Sequence, residues 1–107
     1  MNTKPKHTVS SGNVFADMEL PGAEEALVKA ELVHKIISIL RERRVTQAQA
    51  AEILGVDQPK ISALNRGRLS GFSIERLLRF LVLLGQDVRI TVKSRPRSRN
   101  HARLLVA

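Results

Sequence analysis

Residues 46–67 read TQAQAAEILGVDQPKISALNRG, and the order of caps, apolar positions and glycines predicts two short helices joined by a tight turn. Thr46 followed three residues later by Gln49 has the form of a capping box, in which each side chain accepts from the other's backbone N–H. Gly55 supplies a residue that turns left-handed without steric cost, which ends a first helix over 47–54. Asp57 then caps a second helix, with Pro59 in its first turn, where an N–H has no intrahelical partner to lose. Gly67 closes it. Ala50, Ala51 and Leu54 share one face of the first helix and Ile61 and Leu64 one face of the second, with Val56 in the turn. Small side chains at 50 and 51 let the two backbones cross closely, which is the pattern of a helix-turn-helix.

The residues left off that core face carry the chemistry. Gln58, Lys60, Ser62, Ala63 and Arg66 lie on the outer side of the second helix, and Gln47 and Gln49 near the start of the first. Amide, hydroxyl and cationic side chains reach base edges or phosphates, and an alanine methyl meets the methyl of thymine. A cation in the first helical turn is disfavoured by the helix dipole by about a few tenths of a kcal/mol, so Lys60 asks for an anionic partner to explain it. The alternative is a solvated polar face on a small helical hairpin.

Composition points the same way. The 107 residues contain 18 Lys and Arg against 10 Asp and Glu, a net charge of +8, which favours a polyanionic partner without naming it. Nucleic acid, an anionic membrane surface and an acidic protein all satisfy the charge. With no Trp, no Tyr and three Phe, binding of single strands by aromatic stacking has little to work with. No cysteine is present, which excludes disulfides and thiolate metal sites. His7, His34 and His101 are scattered, so no metal site is expected, and no cofactor. Glycine-rich phosphate loops, G-x-S-x-G and H-E-x-x-H are missing, and the paired acids Glu24 and Glu25 are explained by a helix start, so no catalytic residue is expected either. The N-terminus MNTKPKHTVSSGN lacks a signal-peptide core, and the longest apolar run, Phe80 to Leu84, is too short to cross a bilayer. A soluble cytoplasmic protein is the expectation.

Outward from the central stretch, residues 1–13 read as a disordered arm, 14–93 as one domain, and 94–107 as a basic tail. Val14, Phe15, Met18 and Leu20 form a short apolar segment ahead of Pro21 and Gly22. A long helix follows over 23–43, with Glu24 and Glu25 in its first turn and a buried stripe of Leu27, Ala30, Val33, Ile37 and Leu40. Arg41, Arg43 and Arg44 offset the dipole at its end. Arg68 stands just past the second short helix, within reach of a phosphate. Beyond the loop RLSGFS, a helix over 74–84 is so apolar that burial on most sides is expected, in this core or against a second copy. Residues 87–93, DVRITVK, alternate polar and apolar with β-branched types inward, which predicts a strand. Its unpaired backbone rows call for a partner: a copy across a two-fold axis, another protein, or the 14–20 segment. The tail SRPRSRNHARLLVA carries Arg95, Arg97, Arg99 and Arg103 and no acid, reads as solvated, and adds sequence-independent phosphate affinity or membrane-surface affinity.

The stretch TQAQAAEILGVDQPKISALNRG resembles the reading unit of the lambda-repressor-like, Cro/C1-type (XRE-like) family. The resemblance implies an all-α bundle of four to five helices with a helix-turn-helix, to which the alternation over 87–93 adds one C-terminal β-strand, expected to serve dimerisation. It also implies a homodimeric, sequence-specific regulator of transcription, read as a repressor, that binds double-stranded DNA. Within the family Gln47 and Gln58 look like phosphate and base contacts, Lys60, Ser62 and Ala63 face the groove, and Arg66 resembles a backbone contact. Together with Gln49, Pro59 and Arg68, these form the expected DNA-binding set. Two positions depart from the pattern. Ala50 stands where a larger aliphatic is frequent, and Pro59 where a small polar residue is common, so specificity there rests on shape or on Lys60. FADMELPGAEE before and RGRLSGFSIERLLRFLVLLGQDVRITV after the central unit resemble small XRE-like proteins that include HigA-type antitoxins. That likeness implies, as the alternative, an antitoxin that binds a RelE-like toxin and represses its own operon.

Overall fold

Four helices build the computed structural model, which describes residues 22–97 and 104–106: α1 (Gly22–Glu42), α2 (Gln47–Leu54), α3 (Gln58–Asn65) and α4 (Ile74–Leu83). The arm expected over 1–13 and the apolar segment over 14–20 lie outside the described residues.

α1 starts with Glu24 and Glu25 in its first turn, where the dipole favours acid. Its end is fixed by two backbone bonds: Val45 N–H donates to Leu40 O at 3.4 Å and Arg44 N–H to Arg41 O at 3.0 Å. This is the Schellman arrangement, with Arg44 as the left-handed residue at φ 55°. The buried stripe differs from the expected one. Val28, Leu32, Val33, Ile36 and Leu40 are buried, whereas Leu27 and Ala30 are exposed and Ile37 is half-buried. Apolar residues run round most of this helix, so two stripes satisfy the helical period. The packing of α1 against α4 selects the row of every fourth residue.

α1 packs on α4, and α2 packs on α3. Their shared core also takes in Phe72, Ile74, Leu77, Phe80, Leu81 and Leu84. Among the described residues no polar or charged side chain is buried, so the interior is held by apolar burial and shape. α4 is less enclosed than its composition suggests, because Val82 and Leu83 are 57% and 50% exposed. Arg43 at the end of α1 donates through Nη2 to the carbonyl of Leu84, satisfying an orphan acceptor of the α4 terminus.

The expected strand over 87–93 is not formed: the described elements are all helical, and this segment runs without a backbone ladder. Alternation provides a face, but a strand needs a neighbouring strand for its N–H and C=O groups. Val88 is half-buried against the core, while Ile90 and Val92 stand exposed, Val92 at 90%. The tail also departs from a purely solvated one. Leu104 N–H donates to Glu24 Oε1 at 3.1 Å, and Leu104 and Val106 pack against the core beside α1.

Candidate nucleic-acid interface

The helix-turn-helix rests on side-chain caps at both starts. Gln49 N–H donates to Thr46 Oγ1 at 3.1 Å and Thr46 N–H to Gln49 Oε1 at 2.8 Å, so the capping box is complete. Gly55 adopts φ 71°, and both its N–H and that of Val56 reach Ala51 O. The chain therefore reverses within three residues, and Asp57 Oδ1 takes the Lys60 N–H at 3.1 Å to open α3. Pro59 lies in that first turn. Arg68 N–H to Ala63 O at 2.9 Å and Gly67 N–H to Leu64 O at 3.1 Å close it as a second Schellman motif. Between the two helices Ala50, Ala51, Leu54, Ile61 and Leu64 are all buried. The methyl side chains of α2 leave room for the Ile61 and Leu64 face of α3 to lie close.

That crossing turns the opposite side of α3 outward. Gln47, Gln49, Gln58, Pro59, Arg66 and Arg68 are exposed, and Ser62 is half-buried. Arg66 Nε lies 3.5 Å from Ser62 O, so its stem runs back along the helix while the guanidinium stays at the surface. Two expected members are less free than the spacing implies. Gln49 spends its amide oxygen on the Thr46 N–H and keeps only its amide NH2 for another partner. Ala63 is half-buried against the core, at the edge of the ridge rather than on its crest.

Lys60 differs most. Its ammonium lies over the ring of Phe72, 5.4 Å from the centroid, so within the chain this cation already meets an aromatic face. Arg76 lies 5.6 Å from the same ring and 5.7 Å from that of Phe80, and the two rings meet edge to face at 6.1 Å. Reading RLSGFS as a plain loop misses this. Phe72 is buried and pegs the loop to the core, with its N–H bonded to Leu69 O at 3.0 Å. The signal available in sequence is a lone aromatic, with Leu69, in a short loop of Ser and Gly, which marks an anchor.

Among the described residues no cluster of His, Asp and Glu is able to hold a metal, and no helix is long and apolar enough to cross a membrane.

Comparison with known proteins places this geometry. No curated protein sequence matches the chain. Among solved structures, one described as a putative XRE family transcriptional regulator is 45% identical, with a TM-score of 0.74, over 81% of this chain and 98% of its own. A family model described as a helix-turn-helix domain matches residues 14–93, well over half of the chain. With its two capped helices, their close crossing and the outward ridge of α3, the chain belongs to the XRE-like helix-turn-helix family.

Proposed function

We propose that the protein is a sequence-specific regulator of transcription that binds double-stranded DNA as a homodimer and represses from the site it occupies. The observation that carries this reading is the α3 ridge: exposed Gln58 and Arg66 with half-buried Ser62, on a helix whose other face is buried. The net charge of +8 supports it, since phosphate neutralisation supplies much of duplex affinity. In this reading α3 enters the major groove. Gln58 and Ser62 meet base edges, the Ala63 methyl and Pro59 read shape and apolar contacts, and Lys60 borders the groove. Gln47, Gln49, Arg66 and Arg68 lie along the phosphates. Selection of bound sequences from random duplexes tests it. A recurring motif with two half-sites about one helical turn, roughly 34–36 Å, apart is the expected result. Equal binding of all duplexes at every salt concentration refutes it.

The dimer rests on exposed apolar surface at Val82, Leu83, Ile90 and Val92, which an isolated chain leaves in water at a cost that a second copy removes. Sedimentation equilibrium of the full chain measures it directly. The same surface also supports the antitoxin reading, in which a RelE-like toxin takes the place of the second copy. A tight complex with the product of a neighbouring reading frame would favour that over the solitary repressor.

A further inference from the structure

We propose that Lys60 is a positioning residue rather than a reader of DNA: seated on Phe72, it holds the 66–72 turn, and Arg68 with it, at a fixed height beside the α3 ridge. This rests on the DNA-binding reading above and assigns one residue of that surface a different task.

Three observations carry it. The Lys60 ammonium is 5.4 Å from the Phe72 centroid, within the range where a cation and an aromatic face attract. The lysine is half-buried, unlike exposed Gln58, Pro59 and Arg66 on the same helix, so its stem lies along the protein rather than reaching out from it. Phe72 is a core residue that docks on Phe80, and Arg76 lies over both rings. Lys60 therefore joins the reading helix to the peg of the following turn. Arg68 is carried between the two fixed points, with its N–H bonded to Ala63 O on one side and Phe72 seated on the other. A lysine lying on the ring fixes how far that arginine stands from a duplex docked on α3.

The test uses the full chain and its selected duplex. In folded Lys60→Met, which keeps the aliphatic stem and loses the charge, affinity falls about 3- to 10-fold, because the released turn carrying Arg68 must then be ordered on binding. The slope of log affinity against log salt stays at the wild-type value and the base preference is unaltered. Lys60→Arg, which keeps a cation over the ring, stays within about twofold of wild type. In a Phe72→Leu background the Lys60→Met loss disappears. Proton NMR of the wild type shows the Lys60 ε-methylene shifted upfield by the ring, with and without DNA, a measurement that stands even if Phe72→Leu does not fold. A salt slope reduced by about one, loss of preference at a single base pair, an ε-methylene that leaves the ring on binding, or undiminished affinity in folded Lys60→Met each overturn the proposal. Failure of the underlying DNA reading looks different: the wild type itself then prefers no duplex sequence while the ring shift is present in the free protein, and the positioning role falls with it.

Discussion

Replacing Arg44 by glycine is expected to stabilise the protein. All four helices end on a left-handed residue, and three of these are glycines, Gly55, Gly67 and Gly85; Arg44 is the only other residue with positive φ among those described. A side chain in that conformation costs about 1–2 kcal/mol, because Cβ crowds the following carbonyl. Glycine removes this but surrenders about 0.5–1 kcal/mol through the greater freedom of the unfolded chain. The difference is a gain of about 0–1.5 kcal/mol, centred on about 0.75 kcal/mol, which for a domain of this size raises Tm by about 3–6 °C. A charge beside the α1 terminus opposes the gain by about 0.3–1 kcal/mol at low ionic strength. Arg41 and Arg43 remain there, and at about 0.5 M salt screening suppresses the contribution. Arg44 is exposed, and among the described residues its side chain forms no hydrogen bond or ion pair that the substitution would remove. The assay is urea and thermal unfolding at high salt, with the midpoint rising at constant m. Gly67→Ala is the mirror control: no atom lies within 4 Å of the added Cβ, so only backbone strain is introduced, and a loss of about 1 kcal/mol is expected. An unchanged or lowered midpoint in Arg44→Gly, with Gly67→Ala behaving as expected, refutes the reasoning and shows that the Arg44 side chain stabilises the fold by more than its backbone costs.

Thr46→Ala removes the Oγ1 that accepts from the Gln49 N–H, while the bond from the residue 46 N–H to Gln49 Oε1 stays available, and it lowers stability by about 0.5–2 kcal/mol in urea unfolding. Ala51→Leu overfills the α2–α3 crossing, where Ala51 is buried, and costs about 1–3 kcal/mol; its duplex affinity falls at temperatures where circular dichroism still shows a folded chain. Arg66→Ala and Arg68→Ala each reduce the salt slope of duplex binding by about one without changing the preferred sequence, whereas Gln58→Ala relaxes preference at one base pair by about 1–3 kcal/mol in competition binding. Val82→Asp with Leu83→Lys shifts the sedimentation equilibrium toward monomer; at dilutions where the wild type is monomeric the two melt at nearly the same temperature, because both side chains face water in the single chain.

The helix-turn-helix was legible because its information is local. Thr46, Gln49, Gly55, Asp57 and Gly67 act through bonds spanning at most five residues, so spacing alone specifies them. The stripe on α1 was not, since Leu27 and Val28 are equally apolar neighbours and only contact with α4 decides which is buried. The strand expected at 87–93 failed for the same kind of reason: alternation is a property of one segment, pairing a property of two. The seat of Lys60 on Phe72 spans twelve positions and a turn, and no periodicity announces it. Likewise the bond from Leu104 to Glu24 joins the two ends of the described chain, and nothing in either segment names the other.

The bond from Arg43 to the Leu84 carbonyl has a mechanical consequence. Arg43 stands three residues before the cap of α2, and Leu84 is where the chain leaves α4 for the extended segment that follows. A load applied beyond Gly85, by a second copy or by a foreign subunit, would meet this polar tie beside the apolar packing of α4 on α1, and the tie ends close to the start of the reading unit. Arg43→Leu would remove that tie and leave Leu84 seated in the core, loosening only the segment that leaves Gly85 while the ridge keeps its own shape, so the separation of paired half-sites would blur before recognition of either one was lost.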